Sequence, residues 1–248
     1  MYLFLILLFM FLLSVSLAPV GKKSEFRHLV EKDTLFISGY NPVYCHPDLL
    51  PAVKEKAYKE ALLKLATKDS IQLAVNLADS SLCLYINGIR IHRSQIVSFE
   101  QDKFLGSMPG MLVAGLFSHP QRITHEYATI VKMPVVERQA PKDTLEAAVN
   151  AWKPDTLIQQ PAFLLLETEK GIDLFLEQEE DAEIREKWVR FKFHNRHFSR
   201  RTIEALRDFV TFGKQDYHPR VTIKIPAKDL RAIYRALPGE AYVALGIK

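Results

Sequence analysis

Across residues 71–97 the chain alternates apolar and polar positions with a period of two. Ile71, Leu73, Val75 and Leu77 alternate with Gln72, Ala74 and Asn76, which predicts a strand with one face on a core. Residues 78–81, Ala-Asp-Ser-Ser, read as a turn. Leu82, Leu84 and Ile86 then oppose Ser81, Cys83 and Tyr85, and Asn87-Gly88 is the pair best suited to the positive φ angles of a type I′ hairpin. Ile89 and Ile91 are expected to carry the buried face onward. The stretch predicts an antiparallel meander that organises a half-buried sheet.

Other periodicities fill in the chain. Asp48 is placed to cap a helix running to about Thr67, because Leu50, Val53, Ala57, Ala61 and Leu65 recur at helical spacing. Residues 98–110 read as a loop, 111–117 and 129–136 as short strands, and 143–152 as a short helix capped by Asp143. Residues 161–178 form a hairpin around a Glu169-Lys170-Gly171 turn. Residues 188–194 alternate again, which predicts a strand with Val189, Phe191 and Phe193 inward and Trp188, Arg190, Lys192 and His194 on the other side. A helix from Ser199 to Phe212, a strand at 221–225, a helix entered through Pro226 and a closing strand at 241–247 complete the order. The expected class is α+β and β-rich: a mixed or antiparallel sheet with flanking helices, a β-sandwich being the alternative arrangement.

Residues 1–20 carry no charged side chain and are almost continuously apolar, a signal peptide or a membrane anchor. Ser16 and Ala18 offer small residues at a cleavage spacing, whereas Pro19 disfavours cleavage there. Residues 21–46 read as a charged tether and loop, and 47–248 as a single domain. Lys22, Lys23 and Arg27 follow the apolar segment, so the preference of positive charge for the cytoplasm leaves orientation open. The expected location is the cell envelope, by anchoring or by export.

A net charge of +4 is too small to imply nucleic acid, but its distribution is informative. Residues 167–186 hold nine acids against Lys170 and Arg185, whereas 187–201 hold Lys187, Arg190, Lys192, Arg196, Arg200 and Arg201 and no acid. Adjacent blocks of opposite sign can satisfy each other. Basic residues interleaved with aromatics also suit single-stranded nucleic acid or an anionic glycan. Cys45 and Cys83 are too few for a disulfide scaffold. Phosphate-binding P-loop, His-Glu-x-x-His, Gly-x-Ser-x-Gly and paired Cys-x-x-Cys motifs are all absent, so neither metal nor cofactor is expected.

Two regions carry a family resemblance. Leu82-Cys-Leu-Tyr-Ile-Asn-Gly-Ile-Arg-Ile91, preceded by an aliphatic strand, and residues 223–245, a strand, an Asp-containing helix, a Gly turn and a strand, resemble the two ends of the L,D-transpeptidase (YkuD-like) catalytic domain. The resemblance implies a domain that binds peptidoglycan stem peptide or glycan and, in active members, transfers acyl groups through a cysteine. Pro219-Arg-Val-Thr-Ile-Lys224 stands where the family has Ser-His-Gly-Cys-x-Arg. Thr222 therefore replaces the nucleophile, and a hydroxyl is a far weaker acid than a thiol. Lys224 keeps a positive charge but loses the bidentate fork of arginine. His194 is the nearest counterpart of the family histidine. The leading expectation is an inactive, binding or scaffolding member that meets its ligand near Trp188, Arg190, His194 and Lys224. The alternatives are a cysteine acyltransferase or hydrolase using Cys45 or Cys83 with His194, and a nucleic-acid-binding module using residues 187–201.

Overall fold

In the computed structural model, which describes residues 2–32, 44, 46–132, 160–179 and 184–248, the meander forms as expected. Its strands are β1 (Gln72–Asn76), β2 (Ser81–Ile86) and β3 (Ile89–Gln95), and both residues of the tight turn take positive φ, 48° at Asn87 and 78° at Gly88. The expected burial of Ile89 and Ile91 is corrected. A bulge opposite Leu84 and Tyr85 shifts the pairing, so that Leu84 faces His92 and Leu82 faces Ser94. Ser94 and Ile96 are the buried residues, and both isoleucines are exposed. The extra residue, Ile91, puts His92 and Ser94 on the inward face in place of Ile91 and Arg93, while Ile89 keeps the face of its partner Ile86 and is exposed next to the turn.

Six further strands complete a nine-stranded mixed sheet: β4 (Ser98–Gln101), β5 (Gln121–Ala128), β6 (Phe163–Thr168), β7 (Asp173–Gln178), β8 (Arg220–Ile225) and β9 (Tyr242–Gly246). Their spatial order is β3-β2-β1-β9-β5-β6-β7-β8-β4, parallel at β1–β9 and β7–β8 and antiparallel elsewhere. β3 and β4 stand at opposite ends of that order, yet only Ile96 and Val97 separate them in sequence. The sheet must therefore curl until its ends meet. Inward residues from distant strands, among them Val75, Leu84, Leu166, Leu176, Ile223 and Leu245, accordingly belong to one core. The sandwich alternative is thus approached by one continuous sheet folded around its own apolar face.

Helices close this core and cover its outer surface. α2 (Leu50–Leu65) lays Tyr58, Ala61 and Leu65 on Ala74 and Ala244 of the outer face. Asp48 does not cap it; it sits in a 3-10 turn, Pro47–Leu49, that leads into the helix. The segment expected to be a loop holds β4 and the short helix α3 (Lys103–Gly106), whose N-terminus is capped by Asp102 through a 2.9 Å bond from the Phe104 amide. Residues 111–117, expected as a strand, are helical in α4 (Gly110–Phe117). An unbroken apolar run does not distinguish the two, because it can be buried in either form. The described part of the strand expected at 129–136 is not formed: β5 ends at Ala128 and residues 129–132 are irregular, while 133–136 lie outside the described residues, as do the helix expected at 143–152 and Cys45.

Two long helices depart most from expectation. α1 (Tyr2–Lys32) is one 31-residue helix, so the polar stretch from Gly21 is its continuation and not a tether. Its first half is long and apolar enough to span a membrane or to act as a signal sequence. Its second half belongs to the domain, with Phe26 and Val30 in the main core. α5 (Ile184–Val210) replaces the strand expected at 188–194 and absorbs the helix expected from Ser199. It joins the parallel strands β7 and β8 and crosses the outer face of the sheet. The chain ends with α6 (Ala227–Ala236), entered after Pro226 as expected, and then β9.

The seat of α1 makes a prediction. A Cβ at Gly115 of α4 would lie 2.6 Å from Cγ2 and 2.8 Å from Cγ1 of Val30. Gly115→Ala should cost about 1–3 kcal/mol by overpacking. Val30→Ala in the same chain should recover most of that loss, as read by urea melts of the single and double variants. Additive losses would show that the two helices are not tightly apposed.

Candidate functional site

The hairpin of β6 and β7 alternates strictly. Leu164, Leu166, Leu174 and Leu176 enter the core, while Glu167, Asp173, Phe175 and Glu177 turn to the outer face beneath α5. On α5, Arg190, His194, His197 and Arg201 follow one another at steps of four, three and four residues, which places them on one helical face. The two patterns meet. His194 Nε2 lies 2.8 Å from Glu177 Oε1, and an Arg190 terminal nitrogen lies 2.8 Å from Oε2. His197 Nε2 lies 3.1 Å from Asp173 Oδ2, and Arg201 bridges Asp173 at 3.2 Å and Glu167 at 3.1 Å. Arg200 also pairs with Glu167 and donates to the Tyr127 hydroxyl. The result is a buried, ion-paired layer in which α5 presents its polar face to the protein.

Each buried charge here is answered by another. Burial alone would raise the pKa of Asp173, but hydrogen bonds from His197 and His218 and the charge of Arg201 hold it well below the usual carboxylate range. Glu177 is likewise lowered: burial opposes ionisation, and His194, Arg190 and Lys224 outweigh it. Burial should lower His218, and Arg201 at 3.1 Å from its Nδ1 acts in the same sense. Asp173 at 3.5 Å and Asp216 at 3.0 Å overcome both, and His218 is pushed up to about 9.

A pH dependence follows. His218 is raised from 6.5, so its contribution is complete below about 6.5 and is lost as pH climbs towards about 9. Asp173 and Asp216 are lowered from 3.8, so theirs is complete above about 3.8 and lost on acidification. The layer is strongest between those limits. Stability should fall on the order of 3 kcal/mol from mildly acidic to alkaline pH, and His218→Gln should flatten that alkaline limb in urea melts. An unchanged limb would place the titrating group elsewhere.

Ligand atoms of Glu167, Asp173 and His197 lie within 4.8 Å of one another, which is compact enough for a metal ion. Arg200, Arg201 and His218 already supply the positive charge that a cation would bring, and the layer provides no clear need for one.

The residues singled out from sequence divide here. Arg190, His194 and Lys224 gather around Glu177, Lys224 being its register partner on β8. Thr222 is half-buried on the same face, paired in register with Phe175, on whose ring His194 stacks at 5.2 Å. Trp188 points away and is 67% exposed. No thiol joins this group among the described residues. Of the basic strip at 187–201, Arg190, Arg200 and Arg201 are occupied by acids of the sheet. Glu167, Asp173, His197 and Arg201 were not legible as a cluster, although acids at alternating hairpin positions and cations at helical spacing are its signal.

An open cleft lies elsewhere, between the N-terminal half of α2 and the outer face of the meander, with a volume of about 690 Å³. Its walls include Lys54, Tyr58, Cys83, Tyr85, Arg90 and Arg93. Lys59 is paired with Glu55 at 2.6 Å and Asp79 accepts from Asn76 at 2.7 Å. Lys54, Arg90 and Arg93 have no carboxylate partner among the described residues. Burial lowers the Lys54 ammonium, a penalty that a bound anion would relieve. Burial pushes the Cys83 thiol up, against the pull of Arg90 and Arg93, so it is a poor source of thiolate. Among the described residues, no histidine lines the cleft. Cys83 on β2 and His194 beside β7 are five strands apart in the sheet, roughly 24 Å along it. The arrangement can bind an anion, and among the described residues no imidazole stands beside its thiol.

Comparisons with protein-family models, curated proteins and solved structures gave no match.

Proposed function

We propose that this chain is a membrane-anchored protein of the cell envelope whose L,D-transpeptidase-like domain binds or scaffolds an anionic cell-wall peptide or glycan without reacting with it. The observation that carries the reading is the cleft of Lys54, Arg90 and Arg93, three cations without a carboxylate partner among the described residues, in a lining that also holds Glu55 and Asp79 and, among the described residues, no imidazole. Stem peptides present free carboxylates, the complement of such a surface. The absence of a thiol at Thr222 and the occupied state of His194 and Arg190 both favour binding over acyl transfer. The apolar half of α1 supplies the anchor in this reading.

The test uses the full chain in detergent micelles with isolated stem peptides. Arg90→Glu with Arg93→Glu should weaken binding at least about tenfold, read by calorimetry, with the melting temperature unchanged. Equal affinity of the variant would remove the cleft from the proposal. Peptide exchange by the unaltered chain that Thr222→Ala abolishes, or a reporter after Lys248 that proves cytoplasmic, would remove the wider reading.

A further inference from the structure

α5 is an amphipathic helix turned inside out. Its polar face meets the sheet, and its apolar face is left outward. At 100° per residue, Ile184, Trp188, Phe191, Phe198, Leu206 and Phe209 fall within an arc of about 80°. Asn195 and Thr202 lie between them on the same stripe. Trp188 and Phe198 are 67% and 65% exposed. An apolar stripe of this length left open on a protein is a contact surface.

Two observations identify what it meets. Arg185, Lys192, Arg196 and Arg207 line one flank of the stripe and Lys187 the other, all exposed, in the disposition that lets cationic heads reach lipid phosphates while their stems lie along the apolar boundary. The stripe is also continuous with the apolar half of α1. Phe11 and Phe209 meet edge to face at 5.5 Å, and an apolar groove of about 850 Å³ lies between the two helices, lined by Leu7, Met10, Leu206, Val210 and Phe212. We infer that the outer face of α5 docks on an anionic lipid surface, the same bilayer that α1 enters, so that the domain lies against the membrane. This inference rests on the proposed role of α1 as an anchor.

The full chain carrying Trp152→Phe keeps Trp188 as its single tryptophan. It is reconstituted into vesicles of phosphatidylcholine, with and without phosphatidylglycerol, and separated by flotation. With phosphatidylglycerol, Trp188 should be shielded from iodide and quenched about twofold by lipids brominated in the acyl chain. Lys187→Glu, Lys192→Glu and Arg196→Glu together should abolish both effects while the protein still floats and melts normally. Phe198→Ser provides a second variant that leaves the flanking charges intact and should weaken the quenching. Flotation with Trp188 open to iodide overturns the inference alone. Shielding without quenching by brominated lipid means that protein covers the stripe, and overturns it too. Failure to float overturns the anchor and the inference with it.

Discussion

Asp173→Ala should lower the stability of the fold by about 3–5 kcal/mol, the cost of leaving buried charges without their counterion. Asp173 is 2% exposed and is met by His197 at 3.1 Å, Arg201 at 3.2 Å and His218 at 3.5 Å. Its removal leaves three positive or polar groups facing one another at a site where only Arg201 and His218 reach water at their edges. Asp173→Asn keeps the volume and one acceptor, and should cost less. Urea melts at mildly acidic pH, followed by circular dichroism, measure both losses. A change below about 1 kcal/mol would mean that the layer is hydrated and that other contacts hold α5.

The second large effect concerns α1. Phe26 is fully buried, with Phe104 at 5.9 Å and the Lys22 ammonium 5.3 Å above its ring. Phe26→Ala should therefore cost about 3–5 kcal/mol, the usual penalty for emptying an aromatic core site. Removal of residues 1–17 takes away exposed apolar surface and should leave a folded domain. Removal of residues 1–32 strips Phe26 and Val30 from the core and should leave a chain that aggregates. Size-exclusion chromatography of the two truncated chains separates the outcomes. Folded, monodisperse behaviour of the shorter chain would show that the second half of α1 is dispensable to the fold.

What could be read from sequence was local. Asn87-Gly88, the 161–178 hairpin and the strand, helix and strand of residues 220–247 each carry their turn chemistry and their period within about ten residues. The remainder depended on partners distant in sequence. The seven residues 111–117 are so uniformly apolar that period does not separate strand from helix, and burial on all sides suits the helix they adopt. The parity of Ile91, His92 and Ser94 hangs on a bulge that no residue type announces. α1 is misread at Gly21 because a change of polarity resembles an end, when in fact it marks a change of surroundings along one helix.

The candidate site was harder for a related reason. The reading of 188–194 as a strand assumed that Val189, Phe191 and Phe193 must face a core. In α5 the inward face is charged, and only the acids at 167, 173 and 177 explain why. The mutual satisfaction of the two charge blocks was legible, but its geometry was not. The cleft was invisible because Lys54, Arg90 and Arg93 come from separate elements joined only by packing.

The uninterrupted course of α1 also has a mechanical meaning. Phe26 and Val30 fix the helix to the body directly, whatever path the intervening chain takes to Pro47. The helix runs through Pro19 between the apolar half and the body, so the freedom of one against the other is that of a helix kink and not of a loop. On the proposed reading, with α1 in a bilayer, the cleft would be held close to the membrane and would not sweep far outward in search of a target. A ligand of the cleft would then have to come within a limited distance of the membrane, and proximity would become part of what the protein selects.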